Sequence, residues 1–239
     1  MFPYVWADSF SSKHDFISYI HSLPQQTLIY ASQSLASRSV IENEFPFLEE
    51  QDDYFTGSIF IFSKDSLNGR RPLRHFTSLN NFDDDKKQNW STIFPEYLSD
   101  KIYCSPFTSY KITNKMEWGP VFSLPVKELI SCSTDWLDIS VNVFSPDSLS
   151  PDVILVANLK SANNQVYWNG SDLRDYWIHP GWNKIFLSLK ISDLPLKMDD
   201  LVFNTFLWNK GLAKLYIDDY EVAVKKGNPL VYGLYYKIE

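Results

Sequence analysis

The chain has 239 residues, enough for one large β domain or for two modest domains that each bury a core. Apolar residues make up 44% and aromatics 16%, a balance that excludes intrinsic disorder. Asp and Glu total 29 against 22 Lys and Arg, a net charge of -7, and no basic cluster exceeds Arg70-Arg71 with Arg74 nearby, so the concentrated positive face that nucleic acid requires is missing.

In chain order, the opening residues 1–6 lack a charged region followed by a long apolar run, so they do not read as a signal peptide. No window holds the roughly 20 apolar residues of a membrane span. Because strand-like residues begin almost at once, the chain is expected to be a mature form or an excised soluble portion of something longer. Phe16, Ile17, Tyr19, Ile20 and Leu23 recur at helical spacing, with Ser12 or Asp15 as cap and Pro24 as terminator. A buried strand at 27–31, a polar helix at 37–44, a short turn at 48–53 and a strand at 58–62 follow. The order strand, helix, strand, helix, strand predicts a small α/β unit over 1–65 with at least partly parallel strands. Residues 66–100 show dense turn residues and no periodicity, and are expected to form an extended connection.

From residue 101 onward the alternation has a period of two. Strands are predicted at 107–112, 121–124, 129–132, 136–144, 153–160, 165–169, 183–189, 201–208, 215–224 and 230–237. Leu137, Ile139, Val141 and Val143 fall on one face and Asp138, Ser140 and Asn142 on the other, as in a half-buried sandwich strand. The resulting fold class is α+β with two domains: a small α/β unit followed by an antiparallel β-sandwich (a jelly roll) over 101–239.

Within that region Tyr167-Trp168-Asn169-Gly170, Gly181-Trp182-Asn183, Leu207-Trp208-Asn209 and Ile217-Asp218-Asp219 follow one another inside alternating strands. This order resembles the jelly-roll carbohydrate-binding modules of the galactose-binding-like superfamily, in which a Gly-Trp turn precedes a middle strand and a late strand ends in an Ile-Asp-Asp step. The resemblance implies a glycan ligand and a structural calcium ion held by Asp218 or Asp219, one only, because successive strand residues point to opposite faces. The alternative is a solvated strand edge. The stretch 172–180 is predicted to be a loop between strands, and the glycan-binding constellation is expected in Trp168, Asn169, Asp172, Arg174, Tyr176 and Trp177, where rings stack and polar groups bridge hydroxyls. The alternative use of this loop is contact with the N-terminal unit or another chain. Trp136, Trp168, Trp182 and Trp208 each occur in strand-like runs, where core packing competes with contact.

Catalytic signatures are sparse. His14, His21, His75 and His179 lack metal-ligand spacing. The carboxylate runs at 49–50, 52–53, 83–85 and 199–200 lie in polar stretches rather than across a cleft. Ser32 follows a strand and precedes a helix but has no accompanying His or Asp motif. Cys104 and Cys132 are the two cysteines, forming either one disulfide or two free thiols. The reading is a non-catalytic binding or structural protein of the cell envelope, extracytoplasmic in the periplasm or at the cell surface. The alternative is a soluble accessory region of a larger membrane-bound enzyme such as a glycosyltransferase.

Overall fold

The structure, a computed structural model, describes residues 5, 9–24, 26–32, 35–54, 57–67, 69–84, 87–147, 149–162, 164–196 and 200–230. Apart from Val5 and Leu230, the apolar run at 4–7 and the strand expected at 230–237 lie outside the described residues, as does the side chain of Ser32.

Helix α1 (Lys13–Ser22) starts where Ser12 accepts a hydrogen bond from the Asp15 N–H at 3.1 Å, and Ile17 and Ile20 point into the core. Strand β1 (Thr27–Ser32), helix α2 (Leu35–Glu44), strand β2 (Phe47–Tyr54) and strand β3 (Gly57–Ser63) complete the N-terminal unit. Its sheet has the order β1-β3-β2, and both pairings are antiparallel, which corrects the expected parallel strands. The correction has a local cause: residues 47–54 form a strand rather than a turn. Their acidic residues have low intrinsic strand preference, but the adjacent β3 supplies the ladder.

The connection at 66–100 carries strands of the sandwich. Strand β4 (Arg74–Asn80) pairs with the last strand of the chain, and β5 (Trp90–Ser91) and β6 (Leu98–Ser99) join opposite sheets. Its periodicity escapes notice because Phe76, Ser78 and Asn80, which share one face, are mostly polar. Trp90 enters between the sheets, 4.8 Å from the Tyr220 ring and 5.3 Å from Phe122, and donates its indole N–H to Ser78 at 3.0 Å.

The remaining elements are β7 (Ser109–Ile112), β8 (Trp118–Pro125), α3 (Val126–Leu129), β9 (Trp136–Ser145), β10 (Ile154–Ser161), β11 (Asn164–Asp172), β12 (Gly181–Lys190), β13 (Leu201–Trp208) and β14 (Leu215–Lys225). The strand predicted at 129–132 is thus replaced by a helical turn after Pro125, through which Leu129 reaches the core. One sheet runs β11-β10-β13-β8-β5; the other runs β12-β9-β14-β7-β6 with β4 also on β14, and every pairing among the described strands is antiparallel. The result is a β-sandwich. Ile139, Val141, Ile185, Val222 and Val224 face Leu155, Ala157, Phe203 and Leu207 across the interior, where the Tyr220 hydroxyl meets Thr205 Oγ1 at 2.8 Å.

The N-terminal unit covers the outer face of β9 and β12, so Asp138 and Ser140 are buried beneath it rather than solvated. Ser39 on α2 donates to Asp138 Oδ1 at 2.8 Å and lies 2.7 Å from Ser188 Oγ. Lys225 donates to Glu42 at 2.7 Å and to Asp138 at 2.6 Å, and Arg38 donates to Glu42 at 2.6 Å. Burial opposes the charge on each group. For Glu42 the adjacent Lys225 and Arg38 outweigh it and hold the carboxyl at about 2; for Lys225 the two carboxylates outweigh it and raise the ammonium. Asn228 ties the far end, donating to the carbonyls of Tyr54 and Gly57. Buried side chains run as one cluster from Ile17 and Ile41 into the sandwich interior.

Candidate functional site

Away from the N-terminal unit, the outer face of the five-stranded sheet carries aromatic side chains. Registry lines them up in rows. Trp168, Asn158, Asn204 and Ser123 share one row; Gly170, Val156, Phe206 and Val121 the next; and Asp172, Ile154, Trp208 and Trp118 the third. Adjacent strands stand about 4.8 Å apart, so a row spans roughly 14 Å from β11 to β8.

Trp118 and Trp168 are 49% and 45% exposed, too open for core residues. Their orientation is locked. The Trp118 ring stacks on Trp208 at 5.6 Å and 15°, Phe206 meets it edge-on at 5.3 Å, and the Trp208 indole N–H is held by Glu117 at 3.1 Å. Trp168 lies over Gly170: a Cβ there would come within 2.8 Å of Trp168 Cη2 and 2.7 Å of Ile154 Cγ2. The missing side chain is what lets the indole lie flat. Between them, Asn158 is 3% exposed and its Oδ1 has no hydrogen-bond partner among the described residues. The face therefore presents two π surfaces, with an unsatisfied acceptor buried beneath them.

Trp168, Asp172 and Arg174 of the expected constellation sit at this face. Asp172 caps a single 3-10 turn (Leu173–Asp175), accepting from the Arg174 N–H at 2.9 Å and pairing with its guanidinium. Burial would raise the Asp172 carboxyl, but the Arg174 hydrogen bonds prevail and lower it. The other three are directed elsewhere. Asn169 follows Trp168 in a strand and so points to the opposite face, donating to the Tyr167 hydroxyl at 3.1 Å. Tyr176 is 3% exposed, packed against Phe186 at 5.9 Å with the Lys13 ammonium 5.3 Å from its ring. The Trp177 side chain packs on the core and its carbonyl lies 2.6 Å from His14 Nδ1. This part of the loop seats α1.

Sequence reasoning missed Phe206 and Asn204, although the alternation of β13 carries the signal: Leu201, Phe203, Thr205 and Leu207 are inward, so the residues between them are outward. Trp118 had no such signal. A bulge at Gly119-Pro120 inserts one residue between the pairs Val121 with Phe206 and Trp118 with Trp208, which reverses its face.

The Asp218 and Asp219 carboxylates do not fit calcium. Asp218 is fully buried and accepts the backbone N–H groups of Cys104 at 2.8 Å, Ser105 at 2.9 Å and Asp219 at 2.8 Å, which are donors where a cation site needs oxygens. Asp219 accepts from the Ser105 hydroxyl at 2.7 Å and from Asn142 at 3.1 Å. Both address one loop because a bulge with Asp219 at φ 47° breaks the strand alternation between them. Burial raises the Asp218 carboxyl to about 6 against those hydrogen bonds. Among the described residues no group of three His, Cys, Asp or Glu side chains is arranged to hold a metal ion. Cys104 and Cys132 are free thiols; burial first, then Asp219 and Asp218, raises the Cys104 thiol.

No family model and no curated protein matches the chain. Solved structures do. The CBM22-2 xylan-binding domain of Paenibacillus barcinonensis Xyn10C is 14% identical, with 63% of this chain and 98% of that chain covered and a TM-score of 0.42. A Stig cyclase, Fisc from Fischerella sp. TAU, is 9% identical over 69% of this chain and 93% of that one, with a TM-score of 0.40. The arabinose-bound α-L-arabinofuranosidase MgGH51 is 15% identical over 57% of this chain, with a TM-score of 0.37. The chain spans only 23% of that enzyme's length.

Proposed function

We propose that this chain is a carbohydrate-binding module whose ligand lies across the outer face of the five-stranded sheet. The observation that carries this reading is the pair of exposed, orientation-locked indoles, Trp168 flat over Gly170 and Trp118 stacked on Trp208. A pyranose offers C–H groups to such faces, and a rigid aromatic platform binds with little loss of side-chain entropy. The Asp172–Arg174 pair stands at the same end of the face as Trp208 for bridging sugar hydroxyls. The reading keeps the cell-envelope placement that the resemblance implies, where extended glycans are displayed.

The test is retention of the intact protein on a panel of immobilised polysaccharides and a glycan array. Trp168→Ala and Trp118→Ala are each expected to weaken retention about tenfold or more with melting temperature nearly unchanged. Gly170→Ala should also weaken retention, by displacing the Trp168 ring, with some loss of stability from the overlap with Ile154. Trp177→Ala, in contrast, should lower the melting temperature. A blank panel, or tryptophan variants that bind as tightly as the parent, would overturn the reading.

A further inference from the structure

On the opposite sheet, Lys184 of β12 borders two clefts left where the helices do not fully cover the strands. One, of about 360 Å³, is walled by Ile17, Val40, Trp182 and Phe186, with Asn142 and Cys104 among its polar lining. The other, of about 260 Å³, adjoins the charged side chains Arg74, Asp138, Glu221 and Lys225. The larger lies in the size range of small-molecule sites and has their composition, apolar walls with a few convergent polar groups.

Pairing distinguishes Lys184 from its neighbours. Lys225 holds Glu42 and Asp138, Arg74 holds Glu221, and Asp219 is satisfied by Ser105 and Asn142. Among the described residues the Lys184 side chain has no hydrogen bond or ion pair; its Nζ lies 5.7 Å from the centroid of the Phe186 ring. Burial accordingly lowers its pKa, against the pull of Glu221, Asp138 and Asp219. Lys184 is half-buried, and an ammonium partly withdrawn from water with no directly bonded counter-ion gains from an anion supplied from outside. The surrounding carboxylates limit that anion to a single charge, which disfavours phosphates. The aromatic side chains Trp182 and Phe186 in the lining favour a ring.

We propose that the larger cleft is a second binding site, for a small monocarboxylic acid with a flat apolar body, its carboxylate on Lys184 and its ring against Trp182 and Phe186. This site is separate from the aromatic face and does not depend on it.

The probe is 3-phenylpropionate, titrated calorimetrically into the intact chain, with 3-phenylpropan-1-ol as its uncharged counterpart. Saturable binding is expected, about tenfold or more weaker for the alcohol and for Lys184→Met. In the unaltered protein, 3-phenylpropionate should also slow iodoacetamide alkylation of Cys104 while leaving Cys132 unchanged, a readout that stands even if Lys184→Met fails to fold. Absence of saturable binding, equal binding of acid and alcohol, or unprotected Cys104 would each overturn the proposal. Polysaccharide retention should be unaffected by 3-phenylpropionate, so the two sites fail or succeed separately.

Discussion

Three Trp-Asn steps attract attention in this chain, and in each the asparagine does structural work. Asn183 accepts the Ile178 N–H and donates to the His179 and Gly181 carbonyls, stapling the turn into β12. Asn209 does the same for the turn between β13 and β14, bonding the Met116 and Ala213 carbonyls and the Ala213 N–H. Asn169 bonds its own strand neighbours, Tyr167 and Gly170. Asp218 is a further fastening, and its titration gives a test. Its carboxyl moves from an ordinary 3.8 up to about 6 in the fold because burial disfavours the charge. The folded state therefore holds this proton more tightly, and the contribution to stability is full below about pH 4 and lost as pH rises through 6. Asp218→Asn should flatten the decline of unfolding free energy between pH 4 and 6, a decline on the order of 1–3 kcal/mol. An unchanged slope would place the titration elsewhere.

Between elements, the decisive contact is α2 on the outer face of β9 and β12. Its charges are almost fully withdrawn from water, with side-chain exposure of 5% at Lys225, 6% at Glu42 and 7% at Asp138. Arg38 and Lys225 both stand over the Trp136 ring, 5.1 and 5.0 Å from its centroid. A buried network of this kind adds less to stability than to choice of geometry, but removing one member strands the others. Lys225→Met leaves Asp138 without a cation and Glu42 with Arg38 alone, and should cost about 3–5 kcal/mol by chemical denaturation. Adding Asp138→Asn should recover part of the loss. Full stability in the single variant would show that water reaches the site.

At the scale of the whole molecule, the N-terminal unit is more than an appendage. Its hydrophobic side chains join the same buried cluster as the sandwich, its helix α1 is seated by Trp177, and strands β4 to β6 draw the segment after it into both sheets. One cooperative thermal transition is expected by circular dichroism and calorimetry together. Two separated transitions would mean that the unit and the sandwich fold independently. Its position also decides which face is open: α2 lies over β9 and β12 of the six-stranded sheet, whereas the outer face of the five-stranded sheet carries exposed Trp118 and Trp168. No helix among the described residues is long and apolar enough to cross a membrane.

Local pattern by itself determined the helix α1 with a cap at Ser12 or Asp15, the strands at β9, β13 and β14, and the division of β9 and β13 into two faces, because side-chain direction in a strand follows from a period of two. It could not say what lies against the second face. Asp138 and Ser140 look solvent-facing in sequence and are buried under α2; Tyr176 and Trp177 look free in a loop and seat a helix. Nor does alternation survive a bulge, which is why Trp118 and the Asp218–Asp219 step were misplaced or unplaced until their partners across the sheet were known. Strand β4 shows the same limit, since its register is set by β14, some 140 residues later in the chain. Faces are local properties of the chain, whereas their coverings are non-local pairings that only the tertiary structure decides.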